Sequence, residues 1–256
     1  MLLLPPTHKP FHMARLIIGL FLLFATSSVE AGTLSVVGHN RWVQIISVHD
    51  GDTLRTDKGE KIRLLGINSP EVANQGKPGQ IMGEKAKQRL TELVADKRVY
   101  LQVDKEKQDI YKRTLAQVFL RDGSWINAQM VREGLAFVYT FAPNFRWVGK
   151  LMQAETEARR NKLGIWKTRR FRVLNSKSVS RLHIGQFRVV TGSVSNTEKW
   201  SFKLEKLKIS IPRKYRQWFT GGAIVGTGQT VTVRGTVRLS SKGQLYMALH
   251  SPADLE

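Results

Sequence analysis

The chain has 256 residues, 41 Lys and Arg against 20 Asp and Glu, and no cysteine. A net charge of +21 with 41% hydrophobic residues describes a chain that can bury one or two cores while facing a polyanion such as nucleic acid, anionic lipid or an acidic glycan. The missing cysteine excludes disulfides, thiol nucleophiles and Cys-ligated zinc; His8, His12, His39, His49, His183 and His250 lack short ligand spacing, so any metal is expected on oxygen.

In chain order, Lys9 and Arg15 precede the apolar run Leu16–Ala25 and a small-residue exit at Val29-Glu30-Ala31. That is the pattern of a cleaved secretory signal peptide over residues 1–31, with Met13 as an alternative start. The run is shorter than the roughly 20 residues of a spanning helix, so a secreted or periplasmic protein is expected rather than one with a retained anchor. After a lead-in at 32–41, strand-like alternation covers Val43–Val48, Asp52–Arg55 and Lys61–Ile67, with Asp50-Gly51 and Asp57-Lys58-Gly59 as turns. Residues 71–82 read as a loop. A helix is predicted over 83–95, placing Ala86, Leu90, Leu93 and Val94 on one face. Strands 98–103 and 114–120 and helices 126–134 and 148–162 complete a five-stranded, OB-like barrel with three helices over 42–167. Residues 168–184, with Arg169, Arg170, Arg172, Lys177 and Arg181, read as a basic linker. Strand-like runs 187–195, 202–211, 230–239 and 244–249 then predict a second small basic β-barrel over 185–256, OB-like like the first.

Three segments carry chemistry-bearing side chains. Asp50-Gly51-Asp52-Thr53 projects oxygen ligands of the kind hard divalent cations prefer, although Asp-Gly alone is an ordinary hairpin turn. Arg63-Leu64-Leu65-Gly66-Ile67-Asn68-Ser69-Pro70-Glu71 pairs a guanidinium fork matched to two phosphate oxygens with a carboxylate able to take a proton from water. Asp109-Ile110-Tyr111-Lys112-Arg113 supplies a second arginine before another strand. Metal and guanidinium together would stabilise charge growing on a phosphorane-like transition state.

In this order and spacing, from Val43 to Trp166, the three segments resemble the staphylococcal nuclease (thermonuclease) family. The resemblance extends to Gly83-Glu84-Lys85-Ala86, to Asn127 with Val131-Arg132-Glu133-Gly134-Leu135-Ala136, and to Glu155-Thr156-Glu157-Ala158 leading to Gly164-Ile165-Trp166. It implies phosphate-clamping roles for Arg63 and Arg113, a general-base role for Glu71, and calcium held by Asp52, Asn68 and the main-chain carbonyl of Ser69. Tyr111 and Tyr139 fall where the family places tyrosines near the bound nucleotide, and Lys112 is expected beside them as a further phosphate contact. The implied reaction is endonucleolytic hydrolysis of DNA, RNA or both with low sequence specificity, leaving 3′-phosphates. Two departures stand out. Asn68 replaces an aspartate, removing a negative charge from the metal site and predicting weaker calcium binding or another divalent cation. Lys112 replaces a glycine; if that glycine served a positive φ, a different local turn is expected.

In the tail, Trp200, Phe202, Tyr215, Trp218 and Phe219 lie among lysines and arginines. They read either as a base-stacking platform or as barrel core. Two other function classes fit charge and export: a catalytically weak or inactive nucleic-acid-binding protein on the same scaffold, and a basic envelope-attachment protein. Neither needs Arg63, Glu71 and Arg113 together. No protein partner is implied.

Overall fold

The computed structural model describes residues 39–256 except 75, 223 and 224; segment 1–31, expected as a signal peptide, and most of the expected lead-in lie outside the described residues. Among the described residues no helix is long and apolar enough to cross a membrane.

Alternation in the first half produces strands β1 (Arg41–Val48), β2 (Thr53–Thr56), β3 (Lys61–Leu64), β4 (Ile67–Asn68), β5 (Arg98–Gln102), β6 (Thr114–Phe119) and β7 (Phe137–Val138). Five of them close into a barrel in the order β1-β2-β3-β6-β5. Only β3 and β6 run parallel; the other pairs are antiparallel. Ile45, Leu54, Ile62, Leu64, Val99, Leu101, Ala116 and Val118 fill the interior, which is what period-two patterning requires of a half-buried sheet. Helix α1 (Gly83–Val94) buries Ala86, Leu90, Leu93 and Val94 against this core, and α2 (Ile126–Arg132) and α3 (Val148–Arg160) pack beside it. Fully burying each such leucine contributes about 1.5–3 kcal/mol.

The expected strand 61–67 is broken. Gly66 has φ +84°, a backbone state that L residues avoid, and an added Cβ there would meet Leu151 Cδ1 at 2.8 Å. The chain turns at this point, and Ile67–Asn68 pairs instead with Phe137–Val138. The turn carries Asn68 and Ser69 back over the barrel mouth.

The second half holds β8 (Leu174–Asn175), β9 (Phe187–Glu198), β10 (Ser201–Leu204), β11 (Leu207–Ser210), β12 (Thr230–Leu239) and β13 (Leu245–Ala248). Strands β9-β10-β11-β13-β12 close through the β9–β10 pairing, and β11 and β13 form the parallel pair. The run 202–211, expected as one strand, is a tight hairpin because Glu205 adopts φ +53°. Residues 168–184, expected as a linker, are packed: Phe171, Leu174, Ser176 and Val179 are buried, Leu174–Asn175 pairs with β9, and Arg188 donates to the carbonyls of Arg170 and Arg172.

The two barrels share a core. Phe137 stacks on Phe187 at 4.4 Å, and Ala158, Ile165, Trp166, Phe171 and Val189 complete the cluster. Beside it, Arg234 of β12, 1% exposed, places Nη1 2.7 Å from Glu155 Oε1 of α3 and bonds Glu256 with its other arm. The second Glu155 oxygen accepts the Val138 N–H at 2.5 Å, and Arg159 closes the group on Glu256 at 2.5 Å. Buried charges persist only when paired and hydrogen-bonded in this way.

Candidate active site

The turn at Asp50–Asp52 is seated by close contact. Asp50 Oδ1 accepts the Asp52 N–H at 3.0 Å, and a Cβ on Gly51 would come within 2.6 Å of the side chains of both Ala86 and Ser69. Asp52 is therefore held at the barrel mouth between α1 and the segment after the Gly66 turn. Asp52 is 5% exposed, and its carboxylate accepts the Ser69 N–H at 2.7 Å and the Thr53 hydroxyl at 3.1 Å. Arg63 Nη2 lies 3.2 Å from Asp52 Oδ2 and donates to Asn68 Oδ1 at 2.8 Å; Nη1 donates to the Leu64 carbonyl at 2.8 Å. Burial pushes the Asp52 carboxyl up to about 6, against the pull of Arg63 and the Ser69 N–H, and neighbouring Asp50 adds to the rise.

Arg113 reaches the same place from the neighbouring strand, since it immediately precedes β6, which pairs with the strand of Arg63. Asp109 Oδ2 receives Arg113 Nε at 2.7 Å, while its Oδ1 accepts the main-chain N–H of Tyr111 and Arg113 at 2.9 and 3.0 Å. Arg113 Nη1 then meets the Thr53 hydroxyl at 3.4 Å. The two arginines are thus tied to adjacent residues, Asp52 and Thr53, and both keep N–H groups with no protein acceptor among the described residues. Glu71 is exposed, and its carboxylate makes no ion pair or hydrogen bond there; only its main chain is fixed, by Gln80 at 2.8 Å. Lys112 is exposed and adopts φ +62°, so the different turn expected without glycine does not form: the lysine takes the left-handed conformation itself. Tyr111 is 72% exposed, its ring 5.5 Å from the Arg113 guanidinium carbon. Tyr139 is half-buried; burial raises its pKa, and Arg63 lies close enough to pull it down.

A family model described as staphylococcal nuclease homologue matches residues 61–168. The thermonuclease of Staphylococcus intermedius is 37% identical over 123 residues, 47% of this chain and 73% of the relative. The micrococcal nuclease of Shigella flexneri is 32% identical over 164 residues, 56% of this chain and 86% of that protein. The chain belongs to the staphylococcal nuclease family. The family model ends at Thr168, so the second barrel lies beyond the part it matches.

The staphylococcal nuclease family implies a divalent cation, and the donor chemistry fits one. Asp52, Asn68 and the Ser69 carbonyl are hard oxygens gathered beside a buried carboxylate that a second carboxylate crowds, an arrangement that positive charge relieves. The set is poor in charge: no group of three or more His, Asp or Glu side chains gathers among the described residues. Sequence reasoning left Thr53 and Asp109 without roles, although both hold Arg113. Asp109 opens the motif that Arg113 ends and so carried a local signal; the Thr53–Arg113 contact joins residues 60 apart in the chain and left none.

Proposed function

We propose that the protein is an exported, metal-dependent endonuclease that hydrolyses phosphodiester bonds of DNA, RNA or both with little sequence preference. The observation that carries this reading is the meeting of Arg63 and Arg113 at Asp52–Thr53, with free N–H groups left on both guanidiniums. Two such forks suit the non-bridging oxygens of one phosphate. Glu71, exposed and unpaired among the described residues, orients a water and takes its proton as the new P–O bond forms; the P–O5′ bond breaks and the leaving oxygen takes a proton from solvent, giving a 3′-phosphate and a 5′-hydroxyl. Arg63 and Arg113 hold the phosphate while negative charge accumulates on it, Arg63 fixed by Asp52, Asn68 and the Leu64 carbonyl, Arg113 by Asp109 and Thr53. A divalent cation, calcium by family, would be held by Asp52, Asn68 and the Ser69 carbonyl and would supply further positive charge against that oxygen charge. Grip on phosphates rather than base edges accounts for low sequence preference.

The test is degradation of plasmid and of RNA by the mature chain with added calcium or with chelator, beside Glu71→Gln and Arg63→Ala. Each substitution is expected to lower kcat/KM by about 10²–10³, and chelator to abolish cleavage. Tight binding of uncut nucleic acid by the wild type, with calcium present, would replace the enzyme with a binding protein.

A further inference from the structure

Beyond Tyr139, aromatic rings continue without a break onto the second barrel. Tyr139 meets Phe141 edge to face at 4.7 Å; Phe141, 40% exposed, stacks on His250 at 5.6 Å and 23°; His250 meets Tyr215 at 4.8 Å. Lys214 Nζ stands 4.7 Å from the Tyr215 ring centroid. Burial first, then the charges of Lys214 and Arg238, hold the His250 imidazole below its ordinary range. Both are exposed. Asp254 is buried, and its carboxylate is spent on the main-chain N–H groups of His250 and Ser251 at 2.7 and 3.0 Å, so it does not cancel the cations at the surface. The row begins beside the Arg63 site: the Tyr139 N–H donates to the Gly66 carbonyl at 3.0 Å, and Phe137, two residues before it, pairs with Asn68, which accepts from Arg63.

We infer that the Tyr139-Phe141-His250-Tyr215 row, flanked by Lys214 and Arg238, is a binding track for a single nucleic-acid strand that leads from the phosphate site across the seam onto the second barrel. Ring faces and edges take unpaired bases, and the two exposed cations take phosphates. A strand fits better than a duplex because stacking needs bases splayed from their partners. The track rests on the proposed nuclease reading only for its starting point at Arg63.

The experiment uses the full mature chain with chelator present, so that binding is read without cleavage, and labelled oligothymidylates of about 4 and about 20 nucleotides, spanning the site sizes of such barrels. Lys214→Glu/Arg238→Glu, on exposed positions, is expected to weaken the long strand by at least about tenfold and leave the short one unchanged. It should also shrink the slope of log affinity against log salt by about 1.4, from two lost contacts at roughly 0.7 each. Tyr215→Leu, checked for folding by circular dichroism, should cost the long strand about tenfold, the worth of one stacked base. Equal losses at both lengths, no loss at either, or equal binding of a matching duplex would overturn the track. If the wild type cleaves nothing when calcium is restored, the nuclease reading fails while these binding results still stand or fall alone.

Discussion

Strands β1-β2-β3-β6-β5 and β9-β10-β11-β13-β12 trace the same ring, each with its parallel pair between the strands that come third and fifth along the chain. Across the start of the second strand the first barrel has Asp52-Thr53, the second Trp200-Ser201. The third residue of the third strand is Arg63 in one and the buried Ile209 in the other. Just before the fifth strand stand Arg113 and Gln244 respectively. An identical path therefore carries two unlike mouths. Alternating apolar residues and turns specify the ring, while a few polar residues at its rim specify the chemistry, so fold alone is a weak guide to activity.

The comparison breaks hardest if the second barrel is a passive appendage. Arg234 and Glu155 tie the barrels together with both side chains almost fully buried, and Glu155 also holds the main chain next to Tyr139. Arg234→Ala leaves the buried Glu155 carboxylate only the longer ion pair with Arg159 at 3.6 Å and is expected to cost about 3 kcal/mol, measured by denaturant unfolding. A loss below about 1 kcal/mol would mean that the seam contributes little. Arg234→Met should recover part of the loss, since its longer apolar side chain fills the cavity that alanine leaves.

A smaller effect separates the barrels by pH. Burial pushes Asp254, in the last turn of the second barrel, up to about 7 from 3.8. A folded state that binds the proton more tightly than the unfolded one is favoured while the group stays protonated. Its contribution is therefore fully present below about pH 4, is lost as pH rises through 7, and is then flat. The expected loss is a few kcal/mol at most, at about 1.4 kcal/mol per unit. Asp254→Asn should flatten that slope in the pH dependence of thermal unfolding; an unchanged slope assigns it elsewhere.

Within the first barrel, Thr53→Val sharpens which rim contacts matter. The hydroxyl donates to Asp52 and accepts from Arg113, and valine keeps the shape while losing both bonds. Arg113 retains only Asp109, so kcat/KM should fall about tenfold, near the 1.4 kcal/mol scale of a net hydrogen bond to a charged group. Thr53→Ser should restore it, which a packing effect would not.

What was legible in the residues follows from distance along the chain. The barrel strands and α1 with its buried face arise from patterns a few residues wide, whereas the grouping of Asp52 with Arg63, Asn68 and Ser69 was legible through the family resemblance alone, since Asp52 and Ser69 meet from 17 residues apart. The break at Gly66 was missed because a glycine between apolar residues also suits a strand, and only Leu151, from another element, forbids a side chain there. The hairpin at Glu205 was missed because its turn lacks glycine or asparagine. The Glu155–Arg234 pair joins residues 79 apart; two charges meeting in a shared core leave no periodic trace. Phe202 and Phe219, offered as stacking residues, are buried, whereas Trp200, Tyr215 and Trp218 stay partly accessible, a distinction that composition does not make.

The smallest expected effect concerns Lys112. Its φ of +62° costs an L residue roughly 1 kcal/mol that glycine avoids. The turn is imposed by its neighbours, since Asp109 accepts from the N–H groups of Tyr111 and Arg113 and the Lys112 N–H bonds the Asp109 carbonyl at 3.0 Å. Lys112→Gly removes the strain but also loosens the unfolded chain, an opposing effect of about 0.4–1 kcal/mol. The net change in stability should stay within about 0.5 kcal/mol. Catalysis then distinguishes the two uses of the residue: if the lysine contacts substrate phosphate, KM rises and its salt dependence weakens while kcat holds. If it is only a turn residue, both constants stay put, because Asp109 and not residue 112 fixes Arg113.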